Sequence, residues 1–327
     1  MSIEESLKIV DKGEIALLEW DLVGEKVNKL STPVMARLRE LVGQLKSSKY
    51  KAVILISRKP SIFIAGADIE EIKNLKTKED CEKVLVQAHE IFNSLEDLPM
   101  PTIVAIHGAC LGGGCELSLA CDDRIASDDK STRIGLPEIQ LGIIPGFGGC
   151  VRLPRVVGLQ ASLDIILAGK SVDSRKALKI GLVDESVPRE ILEKRALEIA
   201  QEVVSGKRKK RTKRFSAKGL AHKFLESAAG RMIVFHQAHK MVMKQTKGFY
   251  PAPLKALEVI RKTYGSRKRD KALKIEMTAF CEVAVTEISK HLIDLFYLLE
   301  GVKKQTGVSD PNIKPLPVKA LGVLGAG

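Results

Sequence analysis

His107-Gly108-Ala109-Cys110-Leu111-Gly112-Gly113-Gly114-Cys115-Glu116-Leu117 follows the short apolar run Thr102–His107 (TIVAIH) and leads into a helical stretch, Glu116–Cys121. A buried strand, a glycine run and a helix start follow one another here. The first N–H groups of a helix have no partner within it, and the positive end of the helix dipole stands behind them. Glycine lets another group approach such N–H groups closely. The arrangement suits a phosphate or a developing oxyanion. The phosphate-loop pattern G-x-x-x-x-G-K-[ST] is absent, because no Lys follows Gly114, and G-x-G-x-x-G does not fit either. An oxyanion hole is the better functional reading, with a tight packing turn as the plain alternative. A second segment of small residues, Phe63-Ile64-Ala65-Gly66-Ala67-Asp68-Ile69, follows the apolar run Lys51–Ser57 (KAVILIS) and offers the same close backbone approach.

Around these segments, Glu14–Trp20 (EIALLEW), Lys51–Ser57 and Thr102–His107 read as buried strands. Thr32–Lys46 and Lys78–Leu95 read as amphipathic helices, with Thr32 as the cap and Pro33 at the first helical position of the former. Strand–helix alternation predicts an α/β fold. From about Arg189 the pattern is mostly helical, interrupted by Tyr250-Pro251-Ala252-Pro253, which is expected to be extended or turned.

The chain has 327 residues, enough for one large domain or two ordinary ones, with an ordinary globular composition. Its net charge of +13 is unevenly spread. Residues 1–206 hold 27 Lys and Arg against 31 Asp and Glu, a net of −4; residues 207–327 hold 26 against 9, a net of +17. That shift predicts a boundary near residue 200. Lys207–Arg214 (KRKKRTKR) has seven basic residues in eight; it reads as a solvated linker or as a contact to an anionic membrane or acidic partner. No aromatic residues interleave with it, which argues against nucleic acid. The six cysteines form no C-x-x-C pair and read as reduced, buried thiols. Met1–Val10 lacks the pattern of a signal peptide, and Ile103–Cys121, interrupted by His107 and Glu116, is a poor membrane span. The end, Val318–Gly327 (VKALGVLGAG), reads as an apolar strand followed by the opening of a dinucleotide-binding turn whose third glycine and helix are missing.

Two glutamates carry the chemical expectation. Glu116 lies in the first helical turn beside the glycine run, where an acidic residue also simply complements the helix dipole. Glu138 lies in Ile134-Gly135-Leu136-Pro137-Glu138-Ile139, within a neighbourhood that runs on to Gly149 almost free of charge. A carboxylate among apolar neighbours is costly to ionise, which suits an acid/base.

Taken together, FIAGADI, IHGACLGGGCELSLACD and IGLPEIQLGIIPGFGGCVRLPR resemble, in order and spacing, the signature blocks of the crotonase, or enoyl-CoA hydratase/isomerase, superfamily. The likeness continues through Leu167–Lys170 and Ala177–Asp184. Lys247–Leu254 (KGFYPAPL) and the terminal VKALGVLGAG resemble the multifunctional alpha subunits of fatty-acid oxidation complexes. In those, a hydratase domain is followed by a helical linker and an NAD-dependent 3-hydroxyacyl-CoA dehydrogenase. The resemblance implies a crotonase-like spiral of ββα units over residues 1–190. It implies a helical, basic linker region over 191–315, and over 316–327 the first strand and GAG of a truncated Rossmann domain. It also implies an oxyanion hole made by the Ala67 and Gly113 N–H groups, with Glu116 as base toward water and Glu138 as proton donor to Cα. Cys150 stands where Thr is common in the family.

The implied activity is hydration of 2-enoyl-CoA in fatty-acid β-oxidation, with secondary double-bond isomerisation. No cofactor is expected: CoA belongs to the substrate, and NAD would serve only the missing domain. Arg58 and Lys59 are candidates to meet the CoA phosphates, or else solvated surface. Expected partners are the acyl-CoA substrate, further copies in a homotrimer or a thiolase beta subunit, and an anionic membrane reached through the basic linker. The expected compartment is the bacterial cytoplasm or the mitochondrial matrix. Two rival readings stand beside this one: an enzyme that is primarily a Δ3–Δ2 enoyl-CoA isomerase, and a non-catalytic assembly or membrane-docking subunit acting through its basic C-terminal region.

Overall fold

The central strands are apolar at nearly every position because both of their faces are covered. A computed structural model of the chain describes residues 3–208, 215, 219–303, 305, 320 and 322. Among these residues ten strands occur: β1 (Leu7–Lys12), β2 (Ile15–Trp20), β3 (Ala52–Ser57), β4 (Ile62–Ile64), β5 (Thr102–Ile106), β6 (Ala109–Leu111), β7 (Asp123–Ser127), β8 (Arg133–Gly135), β9 (Ser171–Val172) and β10 (Glu185–Val187). The larger sheet has the order β1-β2-β3-β5-β7-β10, and the smaller β4-β6-β8-β9. From β2 to β10 the larger sheet is parallel, with Ile54 opposite Ile103 and Ala105 opposite Ile125. Side chains alternate across a strand. Leu17, Ile54, Ile56, Ile103, Ala105 and Ile125 therefore meet Leu192, Ala196 and Ile199 of the Leu192–Val204 helix. Leu18, Val53, Leu55, Val104 and Ile106 face the main core on the other side.

Each strand of the parallel centre is followed by a short strand of the smaller sheet and then by helix: β3, β4 and the helices Ile69–Lys73 and Lys78–Glu96; β5, β6 and the helix Gly113–Ala120; β7, β8 and the 3-10 turn Glu138–Leu141 with the helix Gly149–Val157. This is the expected α/β spiral of ββα units. The stacked turns bring the ends of β4, β6 and β8 side by side, so the segments that follow them converge.

The helical region beyond residue 190 packs onto this spiral. Helices Pro251–Thr263 and Arg269–Ala284 lie against Gly149–Val157, and Arg269–Ala284 also lies against Lys78–Glu96. Val259, Ile260, Phe280 and Val283 join the same apolar core as Phe92 and Leu153. Pro251-Ala252-Pro253 is not extended, as the sequence suggested: it opens the Pro251–Thr263 helix, with extended Tyr250 as its cap. Proline is tolerated in a first helical turn, where the N–H groups lack acceptors anyway. At Thr32–Lys46 the cap is Ser31 rather than Thr32, and its side chain makes no capping bond. The Glu71 carboxylate instead accepts from the Thr32 N–H (3.0 Å) and hydroxyl (2.9 Å).

All six cysteines are free and buried. Of Lys207–Arg214, residues 209–214 lie outside the described residues; Arg208 is engaged with Glu185 (2.6 Å) and Asp123 (3.4 Å). The expectation for Val318–Gly327 likewise lies outside them apart from residues 320 and 322. Among the described residues no helix is long and apolar enough to cross a membrane.

The crossing between the two sheets is tight at one point. Gly108 has φ +60°, and a β-carbon there would lie 1.8 Å from the Ser61 carbonyl oxygen. Because the obstacle is backbone, Gly108→Ala is expected to destabilise the fold by about 3 kcal/mol or more. A urea titration checks this: the midpoint should fall with the slope unchanged.

Candidate active site

The segment after β4 is held from below by Asn28. Its buried side-chain amide donates to the carbonyls of Trp20 (3.1 Å) and Phe63 (3.0 Å), its Oδ1 accepts from the Leu22 N–H, and its own carbonyl accepts from the Ala65 N–H. Leu30 then pairs with the next residues: its N–H donates to Gly66 (2.8 Å) and its carbonyl accepts from the Asp68 N–H (3.2 Å). The Ala67 N–H, between them, has no acceptor among the described residues.

The segment after β6 starts its helix earlier than the sequence suggested, at Gly113 rather than Glu116, with Gly112 as the cap. Close packing explains the difference: a β-carbon on Gly114 would lie 2.4 Å from the Ile64 carbonyl, so only a bare backbone can form this first turn against β4. Gly113 is thus the first helical residue, and its N–H has no acceptor within the helix. Gly113 packs beside the Ala67 segment: a β-carbon on it would lie 3.3 Å from the Ala67 nitrogen. The far end of this helix is anchored by Arg124, fully buried, which donates to the carbonyls of Cys121 (2.9 Å), Ser118 (3.3 Å) and Leu182 (2.7 Å). A cation at the C-terminus also suits the dipole.

Glu116 and Glu138 are both buried, at 2% and 8% exposure. Their surroundings differ. Oε1 of Glu116 accepts from the N–H groups of Phe147 (2.8 Å) and Gly149 (2.7 Å). Burial pushes its carboxyl up to about 7, against the opposing pull of those two donors and of Arg152. Oε2 of Glu138 has no hydrogen-bond partner among the described residues. Burial, and then the charge of Glu116, push the Glu138 carboxyl well above the ordinary carboxylate range. Glu138 stands against the glycine run: a β-carbon on Gly112, at φ +51°, would lie 3.1 Å from its Oε1.

Ala67, Gly113, Glu116 and Glu138 line one cavity of about 530 Å³. Its apolar wall includes Ile72, Leu85, Leu141 and Ile143. A larger, arginine-rich cleft of about 870 Å³ contains neither glutamate. Among the described residues no group of three His, Cys, Asp or Glu side chains is placed to hold a metal ion. The structure does not bring Arg58 or Lys59 to the cavity. Arg58 is paired with Glu19 and Glu193, and Lys59 with Asp21 (2.7 Å) and the Leu22 carbonyl (2.7 Å). The lysine on the wall is Lys29, paired with Asp68 at 3.0 Å.

The family model described as enoyl-CoA hydratase/isomerase matches residues 22–249, which include every residue just named in the two converging segments. The chain belongs to the enoyl-CoA hydratase/isomerase family. Within or near that family, the chain is 41% identical over 315 residues to a fatty acid oxidation complex subunit alpha from Shewanella baltica, covering 96% of this chain and 43% of that one. The chain thus spans less than half the length of the curated relatives it matches. An enoyl-CoA hydratase from Bacillus anthracis matches in structure with a TM-score of 0.57 and 28% identity, over 81% of this chain and 99% of that one. The human mitochondrial delta3-delta2-enoyl-CoA isomerase matches with a TM-score of 0.64 and 23% identity, over 92% and 100%, a likeness of fold.

The family blocks did not disclose everything at the site. Phe280, Phe296 and Tyr297, from the last two helices, also line the cavity. Glu276 is a third carboxylate close behind it, 0% exposed. Burial, and then the charge of Glu116, push its carboxyl well above the ordinary range. A signal for it existed: in Arg269–Ala284, Glu276 stands three residues after Leu273 and four before Phe280, on the apolar stripe where a charge has no ordinary reason to be.

Proposed function

We propose that the chain hydrates 2-enoyl-CoA thioesters, as a step of fatty-acid β-oxidation. The observation that carries this reading is the pair of buried glutamates in unlike environments, lining one cavity with two N–H groups that lack internal acceptors. Environments that push two carboxyl groups apart assign their roles. Glu116, stabilised as an anion by two N–H groups, takes a proton from water as the water oxygen attacks Cβ. Glu138, with no donor at Oε2 and the Glu116 charge nearby, keeps its proton and delivers it to Cα. The Ala67 and Gly113 N–H groups hold the thioester oxygen as the enolate forms. One water is consumed, and the proton gained by Glu116 replaces the one lost by Glu138 when the pair resets. The acyl chain takes the apolar wall. CoA enters as part of the substrate, and the reading needs no further cofactor.

The test is hydration of crotonyl-CoA, followed by loss of the conjugated thioester absorbance, beside isomerisation of a 3-enoyl-CoA. Hydration should exceed isomerisation. The reverse ranking would favour the isomerase, and no turnover of either would leave only a binding role. Secondary isomerisation belongs to the same reading, since Glu138 in its ionised form can take a proton from Cα and return it at Cγ.

The pH profile is a second expected outcome. Hydration needs Glu116 ionised and Glu138 protonated. The acid limb of kcat/KM should therefore lie near pH 7 rather than at the ordinary carboxylate value. Activity rises with pH through that limb and falls at higher pH as Glu138 ionises. The two values belong to the coupled pair. An acid limb near 4.5 would show that Glu116 is not the base.

The division of the chain also forms part of the proposal: residues 1–190 as the hydratase domain that carries the catalytic groups, 191–315 as a helical, basic linker region, and 316–327 as a sequence that matches the first strand and GAG of a dinucleotide-binding domain. We further propose a cytoplasmic protein that assembles as a homotrimer or with a thiolase subunit, supported by the word "complex" in its relatives' names. Sedimentation alone and with the thiolase distinguishes the two. Liposome binding before and after neutralising Lys207–Arg214 tests docking to an anionic membrane.

A further inference from the structure

The loop Gly146–Val151 lies between two buried carboxylates and gives its N–H groups to both. Phe147 and Gly149 donate to Oε1 of Glu116. Gly148 donates to Oε1 of Glu276 (2.6 Å) and Val151 to its Oε2 (3.2 Å). The alternation is made possible by Gly148, at φ +108°, which turns one N–H away from its two neighbours. The Gly149–Val157 helix begins in this loop and has no side-chain cap of its own. Glu276, carried on the separate helix Arg269–Ala284, takes that place and satisfies two N–H groups of its start. Two other side chains fasten the loop: the Arg152 guanidinium donates to the Phe147 carbonyl (2.9 Å), and His89 Nε2 meets the Gly146 carbonyl (2.7 Å). Arg152 is itself tied to Glu96 (3.0 Å) and Asn93 (2.7 Å).

From this geometry we infer that Glu276 is a positioning residue for the hydration reaction: it holds the Gly146–Val151 loop in the one register that fastens Oε1 of Glu116 and leaves the other Glu116 oxygen to the attacking water. The inference rests on the hydratase reading, in which Glu116 is the base. It gives the helical region a part in the chemistry, because a side chain far outside the signature blocks orients a group within them. Glu276 does not line the cavity and is not assigned any contact with substrate. The alternative is that Glu276 serves the fold alone, as a helix cap.

Glu276→Gln keeps the shape and one acceptor oxygen, and places an NH2 against one of the two loop N–H groups. Loss of one of the two acceptors that hold this loop should lower kcat for crotonyl-CoA hydration about 10- to 100-fold. KM should stay within about threefold, since the cavity wall and the two oxyanion donors are untouched. The deciding measurement is the cycle with Glu116→Gln. If Glu276 acts through Glu116, adding Glu276→Gln to that variant should change the remaining kcat by less than about twofold. Losses that add in full, or an effect on KM alone, would overturn the inference. Amide hydrogen exchange at Phe147 and Gly149 gives a readout independent of turnover, expected to quicken on the order of tenfold or more in Glu276→Gln. Unchanged exchange would also overturn it. A full-length protein that does not hydrate at all would refute the hydratase reading, and the exchange measurement would then still decide whether Glu276 holds the loop. Should the Gln variant fail to fold, Glu276→Asp, which keeps the carboxyl but shortens the reach, is taken through the same cycle and exchange measurement.

Discussion

Glu116→Gln is expected to lower kcat for 2-enoyl-CoA hydration by about a thousandfold, with KM changed by no more than a few-fold. The substitution is close to isosteric. The amide oxygen can still accept from the Phe147 and Gly149 N–H groups, so the loop and the helix Gly113–Ala120 stay where they are. What disappears is the ability to take a proton from water. Isomerisation of a 3-enoyl-CoA, in which the ionised fraction of Glu138 takes the Cα proton and returns it at Cγ, should survive within about tenfold. That divergence matters more than the loss itself, because a misfolded variant would lose both reactions together. Hydration within a few-fold of the unaltered protein would refute the role given to Glu116.

Glu138→Gln should abolish both reactions, each by about a thousandfold, since the amide neither gives nor takes the Cα proton. It should also reveal a cost of holding this carboxyl in the cavity. Burial and the Glu116 charge raise the folded-state pKa of Glu138 above its unfolded value. Between those two values the folded protein binds a proton that the unfolded chain has released. Stability from this group is therefore present at low pH and declines as pH rises toward the folded-state pKa. Gln does not titrate. The variant should gain in Tm relative to the unaltered protein as pH goes from about 5 to 8, while losing activity throughout. Thermal melts of both proteins at the two pH values check this. A Tm difference independent of pH would mean that Glu138 is not held protonated in the fold.

The residues that carry these predictions were legible in the linear sequence because their neighbours are constrained by contact. Glycines 112 to 114 stand together where a side chain at each would meet Glu138, the Ala67 backbone or Ile64. Glu138 was recognisable as an unpaired charge in an apolar stretch, and the structure accounts for that charge only through the cavity it lines. Less was legible where roles depend on residues brought from afar. Nothing local to Glu116 indicates that its anion is held by N–H groups 31 and 33 positions away. Glu276 could be noticed on its apolar stripe, but its partners lie more than a hundred positions earlier. Arg58 and Lys59 are candidates by sequence to meet the CoA phosphates, yet tertiary ion pairing engages both away from the cavity. Pro251 and Pro253 looked like a break, and only the packing of the helix they open shows them as a start.

Strand runs with both faces apolar, alternating with helical patterns, determined an α/β fold from the sequence alone, and the resemblance of three blocks to the crotonase superfamily implied the spiral and the family. These are properties of short segments, and local sterics and burial act over a few residues at a time. The tertiary structure alone decided that the loop Gly146–Val151 separates two buried carboxylates. It also set the unlike surroundings of the two glutamates, two N–H donors at Glu116 and none at Oε2 of Glu138, on which the proposed division of roles rests. Protonation depends on charge, dielectric and donors within a few ångströms in space, and chain distance carries no information about those.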